Sequence, residues 1–452
     1  MTVKSVYNAG ECEVKQLGKT LFRYFLILIL SVAAATGLMI LLYCIPTTPI
    51  KGNVWRSHPV YDYEGSYPQW AAEYKMTQLD NVTDGYMLLE AMCAGTGHPV
   101  LDAMNNPYTV YPDVNPDKAA VLESHNTPGA SGTGWYGRYW HGYLLFLKPL
   151  LLLFEVSDLR IINMMLCLGL SFYLFFLIEK TLGRKALVAA MISWFVLNPV
   201  SIIMSFQFST TFYVMTIASI LVLKKHEWLR EKGRYGLFFL VIGIVTNFID
   251  FLTYPLVGMA VPMIFAVLMK ERYPFCESLS RLSQGREKKR SVWRLAGECI
   301  LESIAWGIGY AGMWFGKWAA GSILTGENFI LNALSEAQVQ SVGQEEIFGT
   351  MVSPAGSILK NLRVVIKWPF VLLLFLLLLY ICMGLFRGRL SLERSGFHSS
   401  TLALILLALY PFVWFSVLQA HSISCYWFTY RNLCVTVLAV LLLAAQRLRR
   451  RQ

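Results

Sequence analysis

The feature that most constrains this chain is the run "WPFVLLLFLLLLYICMGLF", which begins at Trp368 and carries no charge. At 1.5 Å of rise per residue, a helix through such a run crosses the ~30 Å of hydrocarbon in a bilayer. Hydrocarbon offers no water to pair with the backbone, so a lone run of this kind must be helical. Comparable runs start at Leu21 ("LFRYFLILILSVAAATGLMILLYC") and Asp158 ("DLRIINMMLCLGLSFYLFFL"). The whole chain is 56% hydrophobic and only 15% charged, where soluble domains are nearer a quarter charged. The expected fold class is therefore an all-α polytopic membrane protein.

The net charge of +11 would suggest nucleic acid in a soluble protein. Here the basic residues sit in short connections between apolar runs, so membrane topology explains them and no nucleic-acid partner is expected. The ending "QRLRRRQ" reads as a positive-inside flank in the same way.

Lys4, Lys15, Lys19 and Arg23 precede or open the first span, about Leu21–Cys44, and put the N-terminus in the cytoplasm. A long polar segment then runs to about Gly142. "GYLLFLKPLLLLF" follows, short for a span and holding Lys148 and Pro149, so it is expected to lie along the outer surface. With that choice the basic stretches "EKTLGRK", "LKKHEWLREKGR", "MKERYPFCESLSRLSQGREKKRSVWR", "RGRLSLER" and "RLRRR" all share the side of the N-terminus. About ten spans result, with both ends cytoplasmic. After the one following Asp158 they are roughly Ala186–Phe206, Ser209–Leu223, Tyr235–Asp250, Tyr254–Met269, Leu295–Phe315, Leu362–Phe386, Leu402–Leu418 and Leu433–Ala445. The chain reads as one integral-membrane domain, 1–452, with a large extracytoplasmic loop at 45–155 holding short interfacial helices and a second loop at 316–361. No internal repeat is evident. The nine cysteines show no C-x-x-C spacing; Cys93 and Cys425 share the outer side, where a bond between them is open.

Candidate chemistry gathers on that outer side. In "QLDNVTDGYMLLEAM", Asp80 and Asp84 fall one turn apart if helical, a repulsive spacing. They suit a general base or a pair of ligands for a divalent cation; the plain alternative is a helix cap or a solvated face. Met87, Leu88 and Met92 would seat this stretch in the headgroup layer, and "NVT" at Asn81 is formally a glycosylation sequon. "RYWHGY" brings Arg138, Trp140 and His141, a set for holding a phosphate or an aromatic belt at the interface. Asp250 in "TNFIDFLTYP" is an ionisable residue near a span end, either functional or a helix cap. "HSISCYWFTYR" packs His421, Tyr426, Tyr430 and Arg431 into the last outer connection, and Lys317, Lys360, Arg363 and Lys367 add positive potential. Walker A, G-x-S-x-G and H-E-x-x-H patterns are absent.

With these residues assembled, the first half of the chain resembles the GT-C superfamily of integral-membrane glycosyltransferases. The shared features are one span, a long outer loop with an acidic residue, the interfacial "RYWHGYLLFLKPLLLLF" and the descending "DLRIINMMLCLGLSFYLFFL". The resemblance implies a polyprenyl-phosphate or -diphosphate sugar donor and transfer on the extracytoplasmic face. It makes Asp80 or Asp84 the base, Asp80 preferred. It also makes Arg138, His141, His421 and Arg431 phosphate ligands, with Trp140, Asp250, Tyr426 and Tyr430 around the substrate. The adjacent acidic doublet of protein O-mannosyltransferases and the WWDYG motif of oligosaccharyltransferases are missing, and no periplasmic domain follows, so a lipid-linked or small glycan is the expected acceptor. A transporter or flippase of lipid-linked saccharides is the competing class; such proteins often carry two-fold repeats. A non-catalytic protein of the same fold is a third.

Overall fold

A computed structural model describes residues 3–273, 284–342, 345–392 and 398–450. Of the basic stretches above, residues 274–283, 393–397 and 451–452 lie outside the described residues, as do the side chains of Lys4 and Lys15.

Helix α1 (Val3–Leu42) leads into a folded 45–155 segment: α2 (Thr48–Arg56), α3 (His58–Glu64), α4 (Asn81–Met92), α5 (Pro99–Asn105), α6 (Pro116–Ser124) and α7 (Leu144–Leu151). Then come α8 (Val156–Leu182), α9 (Arg184–Leu197), α10 (Pro199–Met204), α11 (Phe206–Arg230), α12 (Arg234–Ile249), α13 (Pro255–Arg272) and α14 (Gln284–Thr325). The last third holds α15 (Phe329–Val342), α16 (Pro354–Val365), α17 (Trp368–Phe386), α18 (Thr401–Val417), α19 (Gln419–Ser424), α20 (Tyr426–Thr429) and α21 (Leu433–Arg447). The strands among the described residues form three short antiparallel pairs: β1 (Pro107–Val110) with β2 (Gly132–Trp135), β3 (Glu346–Ile347) with β4 (Thr350–Met351), and β5 (Leu390–Leu392) with β6 (Leu448–Arg450). The protein is all-α.

Five described segments are long and apolar enough to cross a bilayer: Gln16–Leu42, Val156–Leu182, Phe206–Ile249, Trp368–Phe386 and Tyr426–Arg447. Phe206–Ile249 is two helices, α11 and α12, joined by a 3-10 turn at Glu231–Gly233. The segment at Gly142 contains only α7, of eight residues, too short to span. Two expected spans differ from the helices observed. The stretch 186–206 breaks at Asn198, whose φ of 52° precedes Pro199 and separates α9 from α10. Proline disfavours a helical conformation in the residue before it, and asparagine tolerates the left-handed region. The stretch 362–386 breaks between Val365 and Trp368, because Ile366 and Lys367 leave the helical region ahead of Pro369. Helix α16 thus ends before the span, and α17 alone carries the apolar run.

Close backbone approach holds α12 to α14. A Cβ on Gly243 would come within 2.2 Å of the Trp306 carbonyl oxygen, and one on Gly309 within 2.1 Å of the Leu240 carbonyl oxygen. Small residues allow this contact where the hydrophobic effect gives little drive between helices in lipid. At one end of the bundle the basic connections meet. Tyr24 of α1 lies against Gly236 of α12, Arg230 donates to the Tyr273 carbonyl, Lys185 donates to the Leu448 carbonyl, and β5 pairs with β6. At the other end the 45–155 segment builds its own core. Met87, Leu88 and Met92 are buried there with Met39, Tyr61, Trp140 and Met313. Those three side chains therefore anchor α4 to protein, not to headgroups, at about 1.5–3 kcal/mol each.

Candidate functional site

Helix α4 starts at Asp80, whose Oδ1 accepts the Thr83 N–H at 3.0 Å and caps the helix. Its Oδ2 accepts the indole N–H of Trp427 at 3.2 Å, which brings the 419–432 connection onto the start of α4. The Trp427 ring meets Tyr67 edge-on at 5.7 Å. Three further bonds fix this junction: the Met76 carbonyl accepts from Asn198 Nδ2 at 2.7 Å, Tyr430 Oη at 3.2 Å and Ser201 Oγ at 3.4 Å. Burial pushes the Asp80 carboxyl above its ordinary range, opposed by the Thr83 and Trp427 donors. A carboxylate offers about four lone-pair positions, so two bonds leave capacity for a hydroxyl.

Asp84 is placed differently. It is fully buried, and its two oxygens accept from Ser205 Oγ at 3.2 Å, the Phe206 N–H at 3.2 Å and the Gln207 N–H at 3.0 Å. These groups open α11, so Asp84 caps a membrane helix from the neighbouring loop, where a negative charge suits the helix dipole. Burial pushes it up to about 7, opposed by the Gln207 N–H, Arg160 and the Phe206 N–H. The two aspartates therefore face different partners. Among the described residues no three His, Cys, Asp or Glu side chains gather as a metal site. Gly85, beside Asp84, ends no helix; it lies inside α4, where a Cβ would meet the Asp117 backbone N at 2.4 Å. Asn81 of the sequon is buried, bonding Glu64 Oε2 at 2.9 Å and the Gly65 carbonyl at 2.8 Å, so its amide is closed to a glycan in the folded chain.

The cationic candidates separate. His141 is buried, with Nδ1 2.9 Å from Glu90 and Nε2 2.7 Å from the Tyr136 carbonyl oxygen. His421 Nε2 donates to the Leu252 carbonyl at 2.8 Å, and burial pushes this imidazole down to about 4, which keeps it neutral at pH 7. Arg431 is fully buried over the Phe208 ring at 4.1 Å, with Nε on the Leu197 carbonyl and Nη1 on the Trp427 carbonyl. It stitches α9 to the last connection. Trp140 donates to the Met313 carbonyl at 2.8 Å and docks the loop on α14. Asp250 is buried at the α12–α13 junction, accepting from Thr211 Oγ1 at 3.0 Å, the Thr253 N–H at 3.0 Å and the Thr253 hydroxyl. Arg138 keeps 34% of its side chain exposed, 3.6 Å from Glu336. Lys360 of α16 stands 4.7 Å from the ring centre of Tyr426, next in sequence to Trp427. Of the cations named from the sequence, Arg363 is exposed and Arg138, Lys360 and Lys367 are partly exposed, and Lys360 borders the Asp80 junction. Cys93 and Cys425 are unbonded.

Sequence reasoning passed over Trp427, although it lies inside a quoted motif, and a buried acid on α4. Glu90 takes the Tyr143 hydroxyl and His141 on one oxygen, while its other oxygen has no hydrogen-bond partner among the described residues. Lys317 lies nearby, bonding the Ala103 carbonyl and Asn106 at 2.9 Å each. The available signal was Glu90 itself, one charge in the apolar stretch "YMLLEAM".

Comparison with protein-family models, curated proteins and solved structures returned no match to this chain.

Proposed function

We propose that the chain is a GT-C-type glycosyltransferase that moves a sugar from a polyprenyl-(di)phosphate donor to a lipid-linked or small glycan. In this reading α1, α8, α9, α11, α12, α13, α14, α17, α18 and α21 are the about ten transits. Both termini are cytoplasmic, and Asp80 is on the extracytoplasmic face. The convergence of the basic connections at the end away from α4 supports that orientation.

The observation that carries the proposal is Asp80: a desolvated carboxylate between Thr83 and Trp427, beside the partly exposed ring of Tyr67. A raised carboxyl pKa makes it a stronger base toward a hydroxyl once ionised. Asp80 takes the acceptor hydroxyl proton as that oxygen bonds the anomeric carbon. The bond from that carbon to the phosphate oxygen breaks, and the phosphate leaves with the electron pair. Lys360 and Arg138 hold the leaving phosphate, and charge stabilisation is most of what such a leaving group needs. Asp84 positions α4 against α11 and takes no proton from substrate.

The test starts from the lipid that copurifies with the protein. Its extract is identified by mass spectrometry and returned to the protein in liposomes with a panel of glycan acceptors. Release of polyprenyl (di)phosphate coupled to acceptor elongation is the expected result. Vectorial movement of the intact lipid-linked saccharide with no bond cleavage would replace the enzyme reading with the flippase reading.

A further inference from the structure

At the end of the bundle opposite Asp80, a cavity of about 410 Å³ opens among four chain segments. It is bounded by the end of α8, the start of α9, the end of α13, the stretch before α18 and the end of α21. That volume falls in the range of small-molecule sites. One wall is apolar, from Leu182, Leu268 and Leu442, and the rim carries Lys185, Arg272 and His398. We propose that this cavity binds an anionic phospholipid, with its phosphate at Lys185 and Arg272 and its first acyl carbons along the leucine wall.

The rim is built for an anion. Lys185 gives N–H groups to the carbonyls of Ala445 and Leu448, which fixes its ammonium at the end of α21. An ammonium has three donors, so one remains, and the residue is exposed. Arg272 is exposed at the last turn of α13 and makes no hydrogen bond or ion pair among the described residues that would occupy its fork. A guanidinium left open in this way suits bidentate phosphate binding. Among the described lining residues the one carboxylate, Glu271, is committed elsewhere. It accepts from Ser399 Oγ at 2.9 Å, Ser400 N–H at 3.1 Å and Ser400 Oγ at 2.8 Å, which holds His398 at the rim.

The apolar wall favours a lipid over a free anion. Inorganic phosphate has no use for three leucines, whereas a phospholipid buries its glycerol and acyl stem against them. The cavity also sits where membrane-length helices end, at headgroup level, and basic pockets between helices at that level recognise anionic lipid heads.

The experiment is native mass spectrometry of the full chain from nanodiscs of phosphatidylglycerol or phosphatidylcholine, comparing wild type with Arg272→Gln and Lys185→Gln. Among the described residues Arg272 has no hydrogen bond or ion pair to lose, so its variant separates binding from folding. The wild type should retain one more phosphatidylglycerol than phosphatidylcholine, and Arg272→Gln should weaken that retention about tenfold, the worth of a charge-assisted pair. Equal retention in wild type and Arg272→Gln would overturn the proposal. So would equal retention of the two lipids, or displacement of the phosphatidylglycerol by millimolar inorganic phosphate, which would mark a free-anion site.

Discussion

Replacing Asp84 by asparagine separates the helix-capping aspartate from Asp80, the proposed base. Asparagine keeps one acceptor oxygen for Ser205 and Gln207, but it turns an NH₂ toward the Phe206 N–H, now 3.2 Å from Oδ2. Leaving that buried donor unpaired costs about 1–3 kcal/mol. The wild-type contribution also depends on pH. The folded value, about 7, lies above the unfolded 3.8, so the native state keeps a proton that the unfolded chain has released. That stability is fully present below 3.8 and is lost as pH rises through about 7. The difference between the two values corresponds to a free-energy change on the order of 4 kcal/mol. Asparagine does not titrate, so its stability lacks this component. Apparent Tm in detergent, followed by tryptophan fluorescence from pH 5 to pH 8, should show the wild type above Asp84→Asn at pH 5. The gap should narrow toward pH 8. A gap that stays constant with pH, or no gap at pH 5, would refute the buried-cap account.

Other perturbations follow from the same geometry. Gly309→Val should lower Tm sharply and loosen α12 from α14, because its Cβ meets the Leu240 carbonyl at 2.1 Å; a mass-labelled cysteine pair across that contact reports the separation. Glu90→Ala should destabilise the 45–155 core by about 3 kcal/mol or more, since it leaves His141 and Tyr143 without their buried partner; limited proteolysis of that segment is the readout. A reporter fused after Gly142 should be extracytoplasmic and one near Leu182 cytoplasmic; the reverse result at Leu182 would overturn the orientation.

Much of the scaffold is legible from composition, because length and apolarity decide what can cross lipid. The runs at Leu21, Asp158 and Trp368 correspond to α1, α8 and α17, and Lys148 with Pro149 marks the short α7. The break at Asn198-Pro199 was legible too, since that dipeptide disfavours helix continuation, yet the apolar run around it hides the signal. What local pattern cannot show is a partner far along the chain. Asp84 caps a helix that begins 122 residues later, and the role is set by tertiary packing alone. His141, His421 and Arg431 look like anion ligands by residue type, but all three are buried and hold carbonyls or a carboxylate inside the protein, with only Nη2 of Arg431 left without a hydrogen bond among its guanidinium nitrogens in the described residues. Residue type names the chemistry a side chain can do; burial decides whether a substrate can meet it.

The central claim is that Asp80 acts as the base while Asp84 only positions it. Asn caps a helix about as well as Asp, so Asp80→Asn keeps the Thr83 bond, but its NH₂ replaces the oxygen that accepts from Trp427. The most direct measurement is single-turnover transfer from the copurified lipid donor by Asp80→Asn, with abundance and Tm recorded alongside. The account predicts a loss of at least about a hundredfold, the usual scale for a general base, in protein that stays folded and loses only the roughly 1–3 kcal/mol of the Trp427 bond. Wild-type turnover by Asp80→Asn would contradict it.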